Sequence, residues 1–220
     1  WHNARYIGAQ GDGTLELTPE LVARNNETLL YNQPALLARE LAALKPREGA
    51  APQMYALLIA GDGTQEVFRR EVAFVDELLA QRYDTQGRAV RLVNSRSSVD
   101  RLPLATPHSI EQALAALAKV MDRERDLLFV FMTSHGSPTH EFQLSMNELT
   151  LPMLPAARLG RMLQASGIRQ QVVVVSACYS GGFIEPLRSD TRWIITAARA
   201  DRTSFGCADE NDFTYFGRAL

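Results

Sequence analysis

Cysteine and lysine are scarce in this 220-residue chain: it has two cysteines, Cys178 and Cys207, and only Lys45 and Lys119 among its 23 basic residues are lysines. Two cysteines cannot build a disulfide framework for a chain this long, so a hydrophobic core must hold the fold. Long apolar runs are also missing. None exceeds about 8 residues, far short of the ~20 that a membrane-spanning helix needs. There is no excess of positive charge, with 23 Lys and Arg against 25 Asp and Glu and a net charge of -2. That balance excludes a protein that binds nucleic acid mainly through a strongly basic surface. No internal repeat or low-complexity tract is present. Gly61-Asp62-Gly63-Thr64 lacks the Rossmann and Walker spacing of a nucleotide loop. His135 and His140 have no third ligand at metal-binding spacing, so neither a metal nor a cofactor is expected.

Apolar residues make up 46% of the chain and charged residues 22%, which is enough to bury a sizeable core. At ~150 residues per domain, the length fits one large domain or one domain with an appendage. Residues 1–52 read as a helical arm and linker. Gly8, Gly11 and Gly13 make a loose start, and Thr18-Pro19-Glu20 reads as a helix cap. A second helix is expected after Asn32, with Pro34 at its start and Leu36, Leu37, Leu41 and Leu44 along one face. Lys45-Pro46 ends it, and residues 47–52 form the linker.

Residues 53–220 follow another pattern, short apolar runs alternating with amphipathic stretches. The runs are Tyr55 to Ala60, Val90 to Val93, Leu127 to Thr133, Gln171 to Ala177 and Trp193 to Ala198. Each has the length of a buried strand. Helical periodicity covers Glu66 to Arg82, Ser109 to Met121 and Ala156 to Ser166. The alternation predicts an α/β fold, a mainly parallel sheet flanked by helices on both faces, preceded by the N-terminal helical arm. Open sheets of this kind bind ligands at the carboxyl ends of their strands.

Two strand ends carry chemistry. Ser134-His135-Gly136-Ser137 closes the third run, and Ser176-Ala177-Cys178-Tyr179-Ser180-Gly181-Gly182 closes the fourth. A thiol nucleophile needs a base or cation beside it, and amide cleavage needs an acid for the leaving amine; His135 could serve as both. Backbone amides at Gly136 and Cys178 could receive a developing oxyanion. Singly, a strand-end histidine or a cysteine after Val172-Val173-Val174-Val175 is more often a packing residue. Both at consecutive strand ends, each followed by glycine, favour the catalytic reading.

These segments resemble the His-Gly and Ala-Cys signatures of legumain-like cysteine peptidases, peptidase family C13, of the clan that contains the caspases. The resemblance continues through Thr196-Ala197-Ala198, Thr203-Ser204-Phe205 and Thr214-Tyr215-Phe216-Gly217, and so covers roughly Tyr55 to Leu220. It implies a caspase-like fold in which Cys178 attacks the scissile carbonyl, His135 protonates the departing amine, and the Gly136 and Cys178 amides form the oxyanion hole. Family members typically place an asparagine beside the histidine at the end of the first strand. The nearest match here is Asp62, either an orienter of His135 or a Gly-Asp-Gly turn residue.

Ser176, Ser204 and Phe205 match substrate-pocket positions. The acidic pocket residues of plant and animal legumains are replaced by Ser176 and Arg218, and the usual aspartate before the histidine is Ser134, so asparagine specificity does not carry over. The implied partner is a peptide or protein substrate. Family resemblance also leaves open a transamidase or peptide ligase using the same dyad, and the fold could serve as a non-catalytic protein-binding module. Bacterial relatives are often exported or membrane-attached, and any anchor would lie outside this chain. A caspase-like domain ordinarily continues past a segment like Thr214 to Leu220 with a further helix and strand, so the domain is expected to be truncated. Compartment and oligomeric state are not fixed by these residues.

Overall fold

The apolar runs pair as neighbours, and the three beginning near Tyr55, Leu127 and Gln171 are buried on both faces. In the computed structural model, which describes residues 19–146, 149, 151–204 and 216, five parallel strands form one sheet. They are β1 (Met54–Ala60), β2 (Ala89–Val93), β3 (Leu127–Thr133), β6 (Gln170–Ser176) and β7 (Arg192–Thr196), in the order β2-β1-β3-β6-β7. Between β3 and β6 lie two short antiparallel strands, β4 (Glu141–Phe142) and β5 (Leu154–Pro155). Two residues are too few to show a period, and the sequence pattern does not reveal this hairpin.

Alternation along the strands divides the core. Leu57, Ile59, Val130 and Val173 point toward α3 (Pro107–Val120) and α4 (Ala156–Ala165), where they meet Leu114, Leu117, Leu159 and Leu163. Ala56, Leu58, Phe131 and Val174 point the other way and meet Val67, Phe68, Val72, Val75 and Leu79, of which all but Val75 and Leu79 lie within the first two turns of α2 (Glu66–Tyr83). Fully burying one such side chain contributes about 1.5–3 kcal/mol, so both faces must be covered. The α3 start is set locally. Thr106 accepts from the Ser109 N–H while Ser109 Oγ accepts from the Thr106 N–H, a reciprocal cap with Pro107 at the first helical position.

The arm differs from the sequence expectation. A single helix, α1 (Pro19–Ala42), runs through Pro34 where two helices were expected. An interior proline removes one N–H and costs about 3 kcal/mol in isolation. Here the helix is held from outside: Leu29 and Leu36 are buried, Gln33 Oε1 accepts from the Leu104 N–H at 2.7 Å, and Glu40 engages Arg91. That last contact also protects the sheet. Glu40 Oε1 accepts from the Arg91 backbone N–H (3.0 Å) and from Arg91 Nε (2.9 Å), and the Val93 N–H donates to Pro103, so edge donors of β2 are satisfied. The expectations placed on Gly8, Gly11, Gly13, Thr18, Phe205, Cys207, Arg218 and most of the segment 214–220 lie outside the described residues.

Candidate active site

The chain runs from β1 to β2 on one side and then to β3 on the other, so the strand order reverses between β1 and β3. A crevice at the carboxyl ends of these strands is the expected binding place of an open α/β sheet. Asp62 follows β1, His135 follows β3, and Cys178 follows the adjacent β6. The parallel register sets Ala60 level with Thr133 and Thr133 level with Ser176, which aligns the three ends.

Asp62 sits in the expected turn and also faces His135. Its Oδ1 accepts from the Thr64 N–H and Thr64 Oγ1, both at 2.7 Å, which makes it a turn residue. Its Oδ2 lies 3.7 Å from His135 Nε2 and accepts from Gln143 Nε2 at 2.9 Å. The carboxylate is 1% exposed, whereas the His135 side chain is 32% exposed. The buried Phe68 ring stands edge-on to the imidazole, with centroids 5.2 Å apart and planes at 87°. The carboxylate faces the Nε2 side of the ring.

The histidine's backbone is fixed by small polar neighbours. Ser134 is fully buried; its N–H donates to the Ser176 carbonyl and its hydroxyl donates to the Gln143 carbonyl. Ser134 therefore ties β3 to β6 and to the hairpin segment. The hairpin bonds run from Gln143 N to His135 O and from Ser137 N to Glu141 O, which turns the intervening Gly136 N–H away from the hairpin. A Cβ on Gly136 would come 2.1 Å from the Cys178 carbonyl oxygen, so only glycine fits.

Cys178 is a partly exposed free thiol. The next residue, Tyr179, has φ of 56°, a left-handed conformation that costs a non-glycine residue energy and turns the chain sharply after the cysteine. Its N–H donates to the Arg202 carbonyl at 2.7 Å. The following Ser180 is fully buried and accepts from the Ala198 N–H at 3.0 Å, so the Ser-Gly portion of the motif clamps the turn to the segment after β7. Gly181 permits this approach, since a Cβ there would meet the Ala200 nitrogen at 2.5 Å. The same segment brings the Ser204 N–H to 3.2 Å from Cys178 Sγ, a donor suited to a thiolate.

Of the pocket residues expected from sequence, Ser176 is 3% exposed at the end of β6 and Ser204 meets the thiol through its backbone; Phe205 lies outside the described residues. His140 packs against the turn that follows Cys178, with its ring where a Gly182 Cβ would sit. Gln143 was missed. It follows His135 by a hairpin turn, and only the pairing of that hairpin brings its side chain to Asp62.

The comparisons bear on the fold and the family. Among solved structures 58 chains match, including caspase-1 from Spodoptera frugiperda, which is 13% identical with a TM-score of 0.51 over 80% of this chain and 73% of that one. At that identity the likeness shows the fold, a caspase-like α/β architecture. No curated protein matches the chain. A model of the peptidase C13 family matches residues 108–220, a span that begins in α3 and holds His135 and Cys178 but not Asp62. With half of its length matched by that model and a caspase-like fold, the chain belongs to the peptidase C13 family, the legumain-like cysteine peptidases that act on peptide and protein substrates.

Proposed function

We propose that this chain is a cysteine endopeptidase that cleaves peptide bonds through Cys178 and His135. The observation that supports the reading best is the meeting of three strand ends, with His135 between the buried Asp62 carboxylate and the neighbouring strand that ends in Cys178. In the first step the Cys178 thiolate attacks the scissile carbonyl carbon, and a C–S bond forms as the C–O π pair moves to oxygen. The Gly136 and Cys178 amides receive that oxyanion. Collapse breaks the C–N bond while His135 passes its proton to the leaving amine, giving a thioester. Water, losing a proton to His135, then attacks the thioester; the C–S bond breaks, releasing the carboxyl product and restoring the Cys178 thiolate beside protonated His135. Asp62 orients the imidazole and offsets its positive charge. These steps use side chains and backbone amides of this chain alone.

The test is a peptide-library digest read by mass. Cleavage by the wild-type protein that vanishes in Cys178→Ala and His135→Ala supports the assignment, and undiminished cleavage in Cys178→Ala overturns it. Products carrying an added amine in place of water would replace hydrolysis by acyl transfer.

A further inference from the structure

The orientation of Asp62 depends on two different sets of donors. Thr64 holds Oδ1 from within the same turn, but among the described residues Oδ2 is held only by Gln143 Nε2, from a segment that belongs to the histidine's side of the crevice. At 3.7 Å, Oδ2 is farther from His135 Nε2 than a hydrogen bond reaches, so their contact is electrostatic and depends on where the carboxylate is aimed. Gln143 is itself fixed to the histidine's backbone. Its N–H donates to the His135 carbonyl at 3.0 Å, and its carbonyl accepts from Ser134 Oγ at 2.8 Å. One residue thus bonds Ser134, His135 and the carboxylate that faces the imidazole.

Resting on the reading of His135 and Cys178 given above, we propose that Gln143 is a positioning residue for catalysis, holding Asp62 Oδ2 toward His135 Nε2. Asp62 is 1% exposed, so solvent cannot readily replace a lost amide donor. Without that donor, the carboxylate turns from the ring and the imidazolium loses part of its support. Cys178 is then activated less well, and proton delivery to the leaving amine slows. Substrate binding does not involve this amide, so kcat falls while KM stays.

The experiment is a double-mutant cycle between Gln143→Met and Asp62→Ala, read by the rate of Cys178 alkylation by iodoacetamide across pH and by kcat and KM on a cleaved peptide. In the wild-type background Gln143→Met lowers neutral-pH alkylation and kcat about tenfold, the factor that one hydrogen bond to a charged group supports, with the alkylation limb displaced to higher pH. In the Asp62→Ala background the same change has no further effect. Equal effects in both backgrounds, or a lowered melting temperature with an unchanged alkylation profile, would overturn the proposal and leave Gln143 a structural tie. Should Gln143→Met not fold, the near-isosteric Gln143→Glu replaces it: at neutral pH it is expected to show the same loss, and a wild-type profile counts against the idea. Absence of peptide cleavage in the wild-type protein would sink the proposed function, whereas the alkylation cycle would still decide the coupling.

Discussion

The backbone N–H of Ser204 points at Cys178 Sγ from 3.2 Å, so a segment following β7 supports the thiol that follows β6. Proline at this position deletes that donor, whereas alanine keeps it. Ser204→Pro is expected to slow alkylation of Cys178 at neutral pH several-fold, with the rate recovered as pH rises and the thiolate forms unaided. Ser204→Ala should alkylate as the wild type does. Equal slowing in both variants, measured by intact mass over time, would refute a role for the amide.

Gly136 predicts a steeper loss. An added methyl would sit 2.1 Å from the Cys178 carbonyl, which cannot recede without moving the nucleophile's own backbone. Gly136→Ala should therefore lose about 100- to 1,000-fold in kcat, the range for removing one oxyanion donor. Circular dichroism would show the fold retained.

The dependence of stability on acid can be read from Glu66. Burial disfavours its charged form, but bonds from Arg69, Ser95 and Ser97 outweigh that cost and hold the carboxyl below its ordinary pKa. A folded-state pKa below the unfolded one means that the stabilisation is complete above the unfolded value and is lost as pH falls through the folded one. Glu66→Gln should thus be less stable than the wild type by about 1 kcal/mol at neutral pH, discounted for partial exposure. That difference should shrink toward zero in urea titrations repeated down to about pH 3. A constant difference across pH would show that the charge is not what matters.

Glu40 tests the arm. The residue is 7% exposed and accepts the Arg91 backbone N–H as well as its guanidinium. Glu40→Ala leaves the Arg91 guanidinium with Asp76 at 3.6 Å and its backbone N–H on the strand edge without the Glu40 acceptor. The expected cost is about 2–4 kcal/mol, somewhat less than that of a fully buried broken pair. Limited proteolysis should then cut first within α1.

The sheet was legible because strands buried on both faces must be nearly all apolar, and Leu127 to Thr133 could be nothing else of that length. Cys178 and His135 were legible because strand ends are where such sheets expose polar groups. Pro34 misled, since a local rule about helix interiors was overridden by the docking of α1 through Gln33 and Glu40. Asp62 was open between turn and orienter; its Oδ1 bonds within the turn, and its Oδ2 faces His135. Gln143 could not be read at all, because its importance comes from a partner across the crevice and not from its neighbours in the chain.

The order β2-β1-β3-β6-β7 has a consequence for how the protein is made. The three side chains of the site come from segments far apart along the chain, joined only when β1, β3 and β6 have paired in parallel. Such non-local pairings carry a large loop-closure cost and form late in folding. Newly made chains therefore hold both the thiol and the imidazole for some time without the means to cut a peptide. On the proposed reading, the destructive chemistry arrives last, as a by-product of a completed sheet.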